Sequence, residues 1–186
     1  QGSDAGRLRH RAEEVRRPVK AVFFPSKEFR DGLQEIGLRA PIIHELEPAK
    51  GASHFHKAIS KAKAASPYGA AVYVYKPKEY AGFRLFLDAA GTSGFAVKED
   101  GDIVSVFSAG GGAVHSMLAL AVQQGGKKLD CFDTVLPRIY AKNGFVETGR
   151  VPWDDQYKPP DWSYERFKKY NDGRPDVVFM EYKPGK

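Results

Sequence analysis

The chain of 186 residues contains a single cysteine, Cys131. That excludes an intramolecular disulfide and a multi-cysteine zinc site, and it suits a reducing, cytoplasmic setting. No apolar run approaches the roughly 20 residues of a membrane span, so no membrane partner is expected. The arginine-rich N-terminus lacks the apolar centre of a secretory signal. No repeat is visible, which sets aside solenoids and propellers. No Gly-Lys-Ser/Thr follows the glycine-rich stretch at 110–112, so a P-loop is excluded.

What is present is ordinary globular chemistry. Hydrophobic residues make up 42% and charged residues 28%, enough for a packed core without metal or cross-link. Twenty-nine Lys and Arg against 23 Asp and Glu leave a formal charge of +6, which fits an anionic partner such as a nucleotide cofactor or nucleic acid. Gln1-Gly2-Ser3 reads as a tag remnant. Residues 4–69 read as a helical or irregular N-terminal extension. Within it, Arg7 to Arg17 is a solvated helix or linker, or else an arm that grips phosphates. His44, His54 and His56 carry no metal signature, because positions i and i+2 on a helix face different ways.

The spacing predicts a strand over 20–24, a helix over 27–36 and a helix over 54–65 capped by Ser53. Val72 and Val74 alternate with Tyr73 and Tyr75, which predicts a strand over 70–75. Pro77 opens an expected helix over 78–88. Strands over 95–98 and 103–108 form a hairpin around Asp100-Gly101. A glycine loop precedes an amphipathic helix over 114–124, and then come a strand (128–132), a helix (134–142) and a strand (145–151). Residues 152–175 form an aromatic insertion before a last strand over 176–182.

Strand, glycine loop and helix in that order make an anion cradle. Glycines let backbone N–H groups approach a phosphate, and the helix start adds partial positive charge. A dinucleotide fingerprint would use Gly110, Gly112 and the acidic Asp130, but its third glycine falls on His115. A coenzyme A pyrophosphate loop is the other reading.

Ser108-Ala109-Gly110-Gly111-Gly112-Ala113 resembles the Gln/Arg-x-x-Gly-x-Gly/Ala motif of the GNAT family of N-acetyltransferases, with Ser108 in place of the basic residue. Tyr140-Ala141-Lys142-Asn143-Gly144-Phe145 resembles the segment that closes that family's fourth helix. Asp133 stands where the family often has Asn. The resemblance covers about 103–150 well and 70–102 more weakly. Domains of this kind also occur within larger phage and mobile-element proteins.

The resemblance implies a mixed, mostly antiparallel central sheet flanked by helices (an α/β, or α+β, fold) over residues 70–186. It implies an acyl-CoA-dependent N-acyltransferase that moves acetyl from acetyl-CoA to an amine by direct attack. Val106, Phe107 and Ser108 would hold the pantetheine, and Gly110, Gly111, Gly112, Ala113 and Val114 the pyrophosphate. Tyr140 would protonate the leaving thiolate; it fits helix packing equally well. The base stays open among Asp133, Glu147, His115 and Glu181, and Asp133 also fits a helix cap. In the insertion, Asp154, Asp155 and Asp161 could attract a cationic amine. Two rival functions remain: a non-catalytic GNAT-like binding module, and a nucleic-acid-modifying enzyme on the same scaffold.

Overall fold

In a computed structural model, which describes residues 17–110 and 112–185, the chain forms two antiparallel sheets flanked by helices. The first sheet is a five-stranded meander in chain order. Its strands are β1 (Val19–Phe23), β2 (Ile43–Leu46), β3 (Arg84–Asp88), β4 (Gly94–Val97) and β5 (Ile103–Phe107). Helix α1 (Lys27–Glu35) joins β1 to β2, with Ser26 Oγ accepting from the Phe29 N–H as its cap. Helix α2 (Pro48–Ala65) and the short α3 (Pro77–Tyr80) join β2 to β3. Helix α4 (Ala113–Gln123) then leads into the second sheet. That sheet has β6 (Lys128–Phe132), β7 (Phe145–Val151) and β8 (Val177–Tyr182) in the order β6-β8-β7, with α5 (Leu136–Ala141) between β6 and β7.

Residues 19–65, which the sequence sets apart as an extension, are built into this body. They supply two strands of the first sheet, and α2 covers one of its faces. There Phe55 and Ile59 are fully enclosed against Leu85, Leu87 and Phe107. The other face packs Ile43, Phe86, Phe95 and Ile103 on Met117, Leu118 and Ala121 of α4. That cluster runs on into Leu129, Val178, Met180 and Phe145 of the second sheet, so one core spans both. Residues 1–16, with most of the expected arginine arm, and Gly111 lie outside the described residues. Arg17, at the arm's end, donates to His44 Nδ1 at 3.2 Å and to the Asp88 carbonyl at 2.8 Å.

Four expectations change. The helix over 78–88 is one turn followed by β3, because Leu85, Phe86 and Leu87 are all buried from both faces. A fully buried strand has a continuous apolar run, which periodicity cannot tell from a helix. The strand over 70–75 is a 3₁₀ turn at Gly69–Ala71 followed by extended chain outside either sheet. Helix α2 starts at Pro48, with the ring at the first helical turn, so Ser53 lies inside it and does not cap it. Strand β2 went unread, since its four residues sit between prolines.

The insertion folds around Trp162, whose ring stacks on Phe167 at 3.8 Å and whose indole N–H donates to the Gly173 carbonyl at 2.8 Å. It covers Phe132 on β6 and reaches Tyr68 just past α2.

Phe86 lies parallel to Phe95 at 4.6 Å in the central strand and has no exposed surface. Phe86→Ala is expected to cost about 3–5 kcal/mol in urea unfolding, the range for a truncated core aromatic. Gly32→Ala, in the exposed middle of α1 with nothing near the added carbon, is expected to stabilise by about 0.5–1 kcal/mol.

Candidate functional site

The two sheets meet at one parallel bridge, Asp102 to Lys128. The Lys127 N–H, donating to the Gly101 carbonyl at 2.9 Å, closes the same corner. Beyond it, β5 pairs only with β4 and β6 only with β8. Two strand edges therefore start together, run the same way and share no further ladder. Each presents backbone N–H and C=O groups to the space between them.

Strand β5 also carries an extra residue. Ala96 opposes Val104 while Gly94 opposes Phe107, so three steps on β5 match two on β4. Ser105 takes up the difference as a bulge with φ of +55°. A serine there is strained, and its hydroxyl is held: it bonds Tyr80 Oη at 2.8 Å and donates to the Tyr73 carbonyl at 3.3 Å. Tyr80 Oη also accepts from the Tyr75 N–H at 3.1 Å.

The glycine loop follows β5. Its backbone bends through left-handed Gly110 (φ +96°) and Gly112 (φ +75°), and a Cβ at Gly112 would collide with Leu38. One of the amides expected to hold a pyrophosphate, that of Gly110, is occupied, as is its neighbour at Ala109. The Ala109 N–H donates to Ser93 Oγ at 3.1 Å and the Gly110 N–H to Ser108 Oγ at 3.2 Å. Helix α4 begins just after with no side-chain cap, so its first-turn N–H groups have no side-chain acceptor among the described residues. Val106 and Phe107 lie on the open edge of β5, and Ser108 continues it.

Tyr140, on α5, keeps only 4% of its surface exposed and packs by Phe145. Burial, with smaller contributions from Cys131 and Asp130, pushes its phenol well above 10. Among the described residues nothing hydrogen-bonds its hydroxyl, although no fully enclosed side-chain polar atom lacks a partner. Cys131 is pushed up to about 12 by burial and by Asp130 and Asp133, so its thiol is not a nucleophile near neutral pH.

The four base candidates all have partners. Arg150 gathers Asp133 (3.1 Å), Glu147 (2.9 Å through Nε) and Asp176 (3.1 Å), and these bonds hold its own pKa above the ordinary value. Asp133, Arg150 and Asp176 border a cavity of about 540 Å³ with Thr134, Arg138 and Tyr170. Glu181 pairs with Lys183 at 3.5 Å. Asn143 Nδ2 lies 2.9 Å from His115 Nδ1, tying the start of α4 to the end of α5. In the insertion, Asp155 accepts from Trp153 and Tyr164, and Asp154 caps a turn at Gln156. Asp130, which the sequence raises only as the acidic residue of a dinucleotide fingerprint, lies on the opposite face of β6 from Leu129 and Cys131. No family model, curated protein or solved structure matches this chain.

Tyr80 is fully buried with two bonds on its hydroxyl, so Tyr80→Phe is expected to cost about 1–3 kcal/mol. Tyr140→Phe is expected to stay within about 1 kcal/mol of wild type by urea unfolding, since no partner among the described residues is lost; a loss of 2 kcal/mol or more would show the hydroxyl to be structural. Cys131 should react with iodoacetamide at pH 8 at least about tenfold more slowly in the folded protein than in urea. The raised thiol pKa also has a sign for stability. Its contribution is complete below pH 9, the unfolded value, and is lost as pH rises towards 12.

Proposed function

We propose that the chain is an acyl-CoA-dependent N-acyltransferase that moves acetyl from acetyl-CoA to an amine, on a GNAT-like arrangement of its two sheets. The observation that carries this reading is the open seam between β5 and β6. A pantetheine arm is a chain of amides, and it can pair with a free strand edge as an added strand would. The edge of Val106, Phe107 and Ser108 leads directly to the glycine loop and the uncapped start of α4, where a pyrophosphate would find N–H donors. The donor set is smaller by one than the sequence suggests, because Ser108 holds the Gly110 amide.

In this reading the amine nitrogen attacks the thioester carbonyl. A free N–H of the β5 edge steadies the negative charge that develops on the carbonyl oxygen. Tyr140, kept protonated by burial, delivers a proton to the departing thiolate. Asp133 and Glu147, committed to Arg150 of β7, serve the reaction less well as bases, and the Asp133 pair ties the end of β6 to β7.

The occupied amides at Ala109 and Gly110 favour one second reading, a GNAT-like binding module without catalysis. Acetyl-CoA binding and turnover separate the two. At 100-fold excess over its Kd, acetyl-CoA should stabilise the chain by about 2.7 kcal/mol, raising Tm by roughly 5–10 °C. Tyr140→Phe should keep that shift and lose about 10²–10⁴-fold in kcat. A Tm shift without turnover in wild type would leave the binding module. No shift would end both readings.

A further inference from the structure

We propose that the cavity at the C-terminal end of β6 takes a phosphomonoester, held by Arg138 and Lys169. The site stands without acyl transfer; only the source of the phosphate rests on that reading.

The walls of this cavity come from distant parts of the chain. Asp133 follows β6 directly, Arg138 lies on α5, Arg150 is near the end of β7, and Asp176 precedes β8. The insertion completes it with Lys169 and Tyr170. The Asp133 N–H donates to the Asp176 carbonyl at 2.8 Å, which fixes the rim between β6 and β8.

Three cations and two carboxylates line the cavity, and they are unequally engaged. Both carboxylates face Arg150, whose Nη1 donates to Asp133 Oδ2 and to Asp176 Oδ2 at 3.1 Å each. Arg138 and Lys169 have no ion-pair or hydrogen-bond partner among the described residues. The Lys169 ammonium lies only over the Tyr170 ring, 5.6 Å from its centre. An anion entering here meets two uncommitted cations, while the carboxylates that would oppose it already share a guanidinium.

Two single positive charges match the charge of nearly two that a phosphomonoester carries at neutral pH. Arg138 offers a planar fork of donors that suits phosphate oxygens. The Thr134 hydroxyl accepts from the Leu136 N–H at 3.4 Å, which leaves its own proton free to donate. Size argues for an ester and against the bare ion. The volume of about 540 Å³ falls in the roughly 300–1,000 Å³ range of small-molecule sites. The half-buried Tyr170 ring gives the organic part a surface to pack on.

Two sources can supply the group. Strands β5 and β6 start together at Asp102 and Lys128 and run the same way. The glycine loop after β5 and the cavity after β6 therefore share one end of the seam. Coenzyme A carries a phosphomonoester on its ribose 3′ carbon besides its pyrophosphate. A separate small phosphate ester is the other source.

The probe is 3′-AMP, with adenosine as its uncharged counterpart. Calorimetry on the full chain without acetyl-CoA should show 3′-AMP binding at least about tenfold tighter than adenosine. Arg138→Gln and Lys169→Gln should each weaken 3′-AMP binding about tenfold, the loss of one charge-assisted contact, and leave adenosine untouched. Both side chains are exposed, so both variants should keep the wild-type Tm. Equal binding of 3′-AMP and adenosine, or 3′-AMP binding that neither variant weakens, overturns the site. Acetyl-CoA and its 3′-dephospho form then separate the sources. If the cofactor's phosphate fills the cavity, both variants lose about tenfold in affinity for acetyl-CoA and nothing for the dephospho form, and saturating acetyl-CoA shuts out 3′-AMP. If a separate ester fills it, 3′-AMP binds alongside acetyl-CoA and the variants leave acetyl-CoA binding unchanged. Binding of 3′-AMP by a chain that acetyl-CoA never stabilises ends acyl transfer and leaves the phosphate site standing.

Discussion

A single backbone pairing, Asp102 with Lys128, joins the two sheets and then stops. Had β5 and β6 continued as a regular parallel ladder, every N–H and C=O along them would be spent on the partner strand. The eight strands would then form one continuous open sheet with β1 and β7 at its edges. Because pairing ends after one bridge, two edges stay free at the centre of the protein, where the core beneath is rigid. Central strand edges are rarely left open without something to pair with them.

What holds the seam in shape is the core below it. Helix α4 packs its Met117, Leu118 and Ala121 face across the first sheet, and the same cluster takes in Leu129 and Met180 of the second. The sheets are therefore fixed to each other through α4 and not through hydrogen bonds between them. On the opposite face, the bulge at Ser105 bends β5, and the hydroxyls of Ser105 and Tyr80 lock that bend. The insertion adds a third restraint by packing Trp162 on Phe132. Three separate contacts oppose closure of a gap that the backbone alone would tend to zip.

Much of this was readable from residue order. The hairpin of β4 and β5, the glycine loop, α4, β6 and β7 all appear in the pattern, because each is a local signal of alternation, turn chemistry or helical spacing. The central strand β3 was not readable: its Leu-Phe-Leu run is apolar on both faces, and burial on both faces erases the period that distinguishes strand from helix. Nor was the membership of residues 19–65 in the first sheet, since β1 and β2 pair only with each other and with β3, across the whole length of α2. Among site residues, Tyr140 was visible as part of a motif. Asp130 was visible only as the acidic residue of a dinucleotide fingerprint.

Residue types and their spacing alone set out the order of a glycine loop, a helix, a strand carrying Asp130 and a helix ending near Tyr140, with Cys131 as the single thiol. The tertiary structure decided which of those groups are free. Asp133 and Glu147 are paired with Arg150 of β7, and two loop amides are taken by serines. The physical reason is that a side chain's chemistry is local, while the availability of its charge or proton depends on what distant segments bring within hydrogen-bonding reach.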